Sequence, residues 1–87
     1  MSFEAMSIVA KTQTKTPIAK LVLFMLANYS NEDFESYPSQ SKLAELCSCD
    51  ARTVKRALQS LEQENLIKVI HRFTDNGRQT SNAYRII

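Results

Sequence analysis

Arg52, Lys55, Arg56 and Gln59 set four long hydrogen-bonding side chains at spacings of three, one and three, so any helix that carries them presents them on one side. Guanidinium and ammonium groups can meet guanine edges or phosphate oxygens, and a carboxamide can pair with adenine. This is the chemistry of recognition. Between them Val54, Ala57, Leu58 and Leu61 recur at the three-and-four spacing of a buried helical face. The segment therefore has one side to bury and one to present.

Residues suited to catalysis do not form a comparable set. His71 is the single histidine, and no Ser, Cys or acid stands in a recognised motif as its partner, so a strand-surface or hairpin-packing role is expected. One glycine, Gly77, excludes a phosphate-binding glycine loop. Cys47 and Cys49 flank one residue, poor geometry for a mutual disulfide, and neither a second cysteine pair nor a nearby histidine completes four metal ligands. Reduced thiols acting as small buried hydrophobes are expected. Neither an enzyme nor a cofactor is implied.

The elements that must position the donor face can be followed along the chain. Ser39 caps a first helix from Gln40 to Cys47, Ser48 and Cys49 turn the chain, and Asp50 caps a second helix ending near Glu64 and Asn65, with Asn65 in the left-handed C-terminal position. Residues 39–65 thus read as a helix-turn-helix. Ala44 is small enough to let the two helices approach, while Leu43, Cys47, Cys49, Val54 and Leu58 fill the space between them. Upstream, Ser2 to Lys11 shows Phe3, Met6, Val9 and Ala10 at helical spacing, and residues 1–15 form an N-terminal helical arm. Thr16 and Pro17 start another helix within 16–29, running to about Tyr29. Ile18, Leu21, Val22, Met25 and Leu26 make one face of it, and Leu23 and Phe24 lie off that face. A helix apolar on two sides needs two partners.

The acidic loop Glu32 to Tyr37 ends in a brief strand at Ser36 and Tyr37, closed by Pro38. Downstream, Leu66 to Phe73 and Ala83 to Ile87 read as two strands joined through Thr74-Asp75-Asn76-Gly77, a strong tight-turn signal. Residues 66–87 are then a wing. The whole is expected as one mainly α domain with a small β-hairpin, an α+β winged helix-turn-helix over residues 1–87.

The formal charge of +2 is too mild to argue for a polyanion, but its distribution is informative. From Asp50 onward stand Arg52, Lys55, Arg56, Lys68, Arg72, Arg78 and Arg85 against Asp50, Glu62, Glu64 and Asp75, whereas residues 30–49 hold Glu32, Asp33, Glu35 and Glu45 against Lys42 alone. Positive charge gathers on the second helix and wing. The longest apolar stretch, Leu21 to Ala27, is far short of a membrane span, and Met1-Ser2-Phe3-Glu4 lacks a basic signal-peptide start. A cytoplasmic location with no membrane partner is expected.

Tyr37-Pro38-Ser39-Gln40, the run Leu43-Ala44-Glu45-Leu46 through Arg52-Thr53-Val54-Lys55-Arg56-Ala57-Leu58, and Gly77-Arg78-Gln79-Thr80-Ser81-Asn82-Ala83-Tyr84-Arg85-Ile86 together resemble the winged helix-turn-helix domains of phage and plasmid replication proteins and related mobile-element regulators. Lys20-Leu21-Val22-Leu23, Leu26-Ala27 and the acidic loop extend the likeness over nearly the whole chain. The resemblance implies a domain that binds double-stranded DNA in a replication initiator of a phage, plasmid or satellite element. A transcription regulator and a winged-helix protein-interaction module are the alternatives. Arg52, Lys55, Arg56 and Gln59 would read base edges; Ser39, Gln40, Ser41 and Thr53, at helix starts, would hold phosphates; Arg72, Arg78 and Gln79 would reach the backbone or minor groove from the wing. Related domains often carry Ser then Arg where this chain has Asp50 then Ala51, which implies a weaker or shifted site. Phe3, Met6, Val9, Leu23 and Phe24 either cover one another within one chain or, as is expected of so small a domain, pack in a homodimer through residues 1–29, and replication proteins of the host or element are further expected partners.

Overall fold

The computed structural model describes residues 3–72, 77 and 82–87. In chain order these form α1 (Phe3–Lys11), α2 (Pro17–Asn28), β1 (Glu35–Ser36), α3 (Gln40–Leu46), α4 (Ala51–Gln63), β2 (Ile67–Ile70) and β3 (Ala83–Ile86). Four helices thus accompany one antiparallel sheet of strand order β1-β3-β2. The mainly α, winged helix-turn-helix architecture expected from the sequence is the one found.

Local chemistry fixes each helix start. The Thr16 hydroxyl accepts the Ala19 N–H at 3.1 Å, the Ser39 hydroxyl the Lys42 N–H at 3.0 Å, and Asp50 Oδ1 the Thr53 N–H at 2.7 Å. Each cap satisfies a donor that a helix leaves unpaired in its first turn. Pro17 follows its cap directly, where its missing N–H costs nothing.

Two helix ends share one hydrogen-bonding pattern. After α3, Ser48 takes φ 54° while its N–H bonds the Glu45 carbonyl at 3.3 Å and the Cys49 N–H bonds the Ala44 carbonyl at 3.0 Å. After α4, Asn65 takes φ 60°, with Asn65 N–H to the Glu62 carbonyl and Leu66 N–H to the Leu61 carbonyl, both at 3.0 Å. Both are Schellman closures, which pair carbonyls that a helix end otherwise leaves free. Asn65 is the residue expected there. Ser48 carries the strain of a left-handed backbone at a position that glycine more often fills, and it does so at the turn that aims α4.

The core surrounds α2. Ala19, Val22, Leu23, Leu26 and Ala27 are buried, with α1 and α4 packed along the helix and α3, β1 and β3 touching it. The two-sided apolar character of this helix is satisfied within one chain. Ala5 and Val9 of α1 are buried, so the arm is docked, and Lys20 Nζ donates to the Ala10 and Thr12 carbonyls at 3.1 and 2.8 Å. A cation on those carbonyls suits the negative end of the α1 dipole.

The acidic loop departs from its expected form. β1 lies at Glu35–Ser36, one residue earlier than the strand expected at Ser36 and Tyr37, and it pairs with β3 through Glu35↔Arg85 and Ser36↔Tyr84. The expected hairpin is therefore widened to three strands. Its cause is Asn31, whose Oδ1 accepts the N–H groups of Asp33 at 2.9 Å and Glu35 at 3.1 Å, folding the loop so that the Phe34 carbonyl accepts the Ile86 N–H at 3.0 Å. Tyr37 falls outside the ladder, directly before a proline that can donate to none.

Leu26→Ala empties a fully buried site and should cost about 2–5 kcal/mol, whereas Gln63→Ala, on the exposed last turn of α4, should stay within about 0.5 kcal/mol. Urea midpoints measure both. Similar losses for the two would contradict a core centred on α2.

Candidate nucleic-acid interface

The interface is built from α4. Val54, Ala57, Leu58 and Leu61 are buried against the rest of the fold, and Arg52, Lys55, Arg56 and Gln59 are all exposed on the other side. The amphipathic division expected from the spacing is present. Burial of the apolar stripe fixes how the helix is rotated about its axis, so it also fixes the direction of the donors.

Those donors do not form one undivided patch. Lys55 and Gln59 line a groove of about 180 Å³ between α4 and the wing, together with Gln40, His71, Asn82 and Tyr84. Thr53 and Arg56 line a second groove of about 240 Å³ on the opposite flank, beside Thr16, Ile18 and Ser60 near the start of α2. The helix therefore stands as a ridge with a groove along each side. A ridge with donors on both slopes is the shape that enters a major groove.

Three of the helix-start residues have distinct positions. Ser39 is exposed, with its hydroxyl engaged as the α3 cap; Ser41 is exposed on the first turn; and Thr53 is half-buried, its N–H held by Asp50. Gln40 differs. It is half-buried and its side chain hydrogen-bonds the phenol of Tyr84, as does the side chain of Asn82. Tyr84 is itself buried, which pushes its phenol above the usual range, and these two hydrogen bonds act in the opposite direction. The three side chains brace the wing against the start of α3. Nothing in the sequence paired Tyr84 with Gln40.

Arg72 stands on the far side of the sheet. Its guanidinium lies 4.8 Å from the centroid of the exposed Tyr37 ring, and the Tyr37 hydroxyl donates to Glu35 Oε1 at 3.4 Å. Arg78 and Gln79 lie outside the described residues, as does the expected turn apart from Gly77, whose φ is 80°. That angle suits glycine.

Asp50 is an acid at the start of the ridge. Hydrogen bonds from the side chain and backbone of Thr53 hold its carboxyl below the ordinary carboxylate range, and the charge of Arg56 adds to the effect. Its charge is thus committed to capping α4, where the helix dipole also favours an anion. Cys47 is buried and Cys49 half-buried; burial, with Cys49 beside it, pushes the Cys47 thiol up, which keeps it in the unreactive protonated form. Among the described residues no three His, Cys, Asp or Glu side chains form a metal-holding group, and no described helix is long and apolar enough to cross a membrane.

Fold and ridge together define the chain as a winged helix-turn-helix protein. A family model described as a helix-turn-helix domain matches residues 13–67, from before α2 to the first residue of β2, and the chain belongs to that family. Helix-turn-helix domains are DNA-binding modules. No curated protein and no solved structure matches the chain.

The cap at Asp50 makes a pH-dependent prediction. Because folding lowers its pKa, its contribution to stability is present above the unfolded value and disappears as pH falls through the folded value. Asp50→Asn retains a capping oxygen without that titration, so its melting temperature should fall less steeply than the parent's below about pH 4. Parallel acid limbs in the two thermal profiles would show that Asp50 is not coupled to folding in this way.

Proposed function

We propose that the domain binds double-stranded DNA with α4 in the major groove, Arg52, Lys55, Arg56 and Gln59 meeting base edges and adjacent phosphates. The observation that carries this reading is the exposure of all four on a helix whose opposite face is fully committed to the core. Phosphate neutralisation supplies most of the affinity and the ridge supplies the sequence preference. Ser39, Ser41 and Thr53 take backbone phosphates at the helix starts, and Arg78 and Gln79 extend the backbone contacts from the wing. Gln40 acts at one remove, through the brace on Tyr84.

The biological setting we propose is replication initiation on a phage, plasmid or satellite-type element, with replication proteins of the host or element as further partners. It rests on the Tyr37-Pro38-Ser39-Gln40 lead-in and the Gly77 to Asn82 segment. Selection of bound sites from random duplex separates this from a purely regulatory role: iterated sites that map to an origin support initiation, and a single promoter operator opposes it.

Arg56→Ala and Lys55→Ala, both off the buried stripe, should each weaken binding to the selected site by about 1–3 kcal/mol and relax preference at a base position while leaving the fold intact. Titration at several salt concentrations tests this. Parent-like binding by both variants throughout would remove α4 from the groove.

We further propose a homodimer through residues 1–29. Val9 and Leu23 are buried within the chain, but Phe3 is 77% exposed, Ile8 43% and Leu21 38%, leaving apolar surface for a second copy. Sedimentation of the intact chain and of one beginning at Thr14 is the check: association by the first and not the second is expected. A monomer in both cases at high micromolar concentration would exclude the dimer.

A further inference from the structure

The sheet has a second face that the ridge does not use. Val69 and Tyr84 line the groove against α4, so the residues next to them in each strand, Lys68 and Arg85, must stand on the opposite side, and both are exposed. They are direct cross-strand partners in the β2–β3 ladder. On its other side Arg85 stands across from Glu35 in the β1–β3 ladder. Like charges directly opposite each other destabilise a sheet. A polyanion laid across them would relieve that repulsion.

Beside this pair lies a stacking platform. Glu35 and Tyr37 share the outer face of the first strand and its extension, and the Arg72 guanidinium covers the Tyr37 ring from the far strand. Continuing the β1–β3 register sets Tyr37 across from Ala83, which is buried although its alternation also turns it outward. An aromatic ring and a guanidinium plane are the two surfaces on which unpaired bases stack, and adjacent cations track the strand that carries them. A duplex hides its base faces and has no use for such a platform.

We propose that this outer face is a second nucleic-acid site that takes single-stranded DNA, phosphates on Lys68 and Arg85 and a base on the Tyr37–Arg72 stack. It goes beyond the duplex reading and lies across the sheet from α4, so one molecule can hold duplex on the ridge and an unpaired strand behind the wing. Arg72 then contacts an unpaired strand, a different role from the backbone or minor-groove contact expected from its place in the sequence.

The test is fluorescence anisotropy of the intact chain with labelled oligothymidine and with random-sequence duplex. Salt is set near 0.15 M, where charges more than about 8 Å apart are largely screened. The double reversal K68E with R85E should weaken oligothymidine binding about tenfold or more and leave duplex binding within about twofold. Tyr37→Leu, which keeps apolar bulk over the sheet, should weaken oligothymidine several-fold with no change in salt slope, because it removes stacking and no charge. Lys55→Ala with Arg56→Ala should do the reverse, weakening duplex and sparing oligothymidine. No binding of oligothymidine by the parent, equal loss of both ligands in the double reversal, or equal binding of polyglutamate would each overturn the proposal. A failure of the ridge reading shows separately, as duplex binding indifferent to Lys55 and Arg56.

Discussion

Burial of α2 is the constraint on which the remaining geometry depends. Its Ala19, Val22, Leu23, Leu26 and Ala27 side chains have no access to solvent or almost none, and they do so beneath different elements. A domain of 87 residues has little apolar surface to spare, so it cannot also support a second core under the wing. The sheet must lean on the same centre, through Ile67, Tyr84 and Ile86. In consequence α4 is clamped between α2 and β2, and its rotation follows from which of its residues are apolar. The donor face is thus aimed by residues that touch no ligand.

Much of this was legible in sequence because the signals are local. Thr16, Ser39 and Asp50 cap the helices they precede, and Asn65 takes a left-handed backbone, since a cap requires only a suitable oxygen or a tolerant residue within a few positions. The stripe Val54, Ala57, Leu58 and Leu61 is equally local. What escaped was non-local. β1 is too short to announce itself by alternation and exists because Asn31 folds the loop toward a strand some fifty residues later in the chain. The Gln40–Tyr84 brace and the Arg72–Tyr37 stack likewise join residues distant in sequence. A glutamine at a helix start and an arginine near a hairpin tip look, in sequence, like free hands for phosphate. In the fold Gln40 holds the wing, and Arg72 is turned to the side of the sheet away from α4.

Asp50 carries two opposing consequences of one charge. Beside a polyanion a carboxylate is unfavourable, and Ala51 offers no compensating donor. Yet the Asp50 carboxylate is already held by Thr53 and near Arg56, and both lower the field it projects. Its removal would loosen the first turn of α4, which carries Arg52 and Thr53. Electrostatic cost at the surface and structural order in the helix therefore pull in opposite directions at this position, and the cap ensures that the donors begin from a formed helix.

The wing connects the two faces of the molecule. Alternation along β2 sends Val69 toward α4 and Lys68 and Ile70 away from it, so a slip of one residue in the β2–β3 ladder would exchange the two sets. Two independent devices oppose that slip. On the inner side Tyr84 is hydrogen-bonded by Gln40 and Asn82, and on the outer side Arg72 stacks on Tyr37, whose chain leads directly into α3. Both devices tie the sheet to the beginning of the helix-turn-helix, one from each face. The orientation of the wing relative to α4 is consequently set at its base, by side chains on both surfaces.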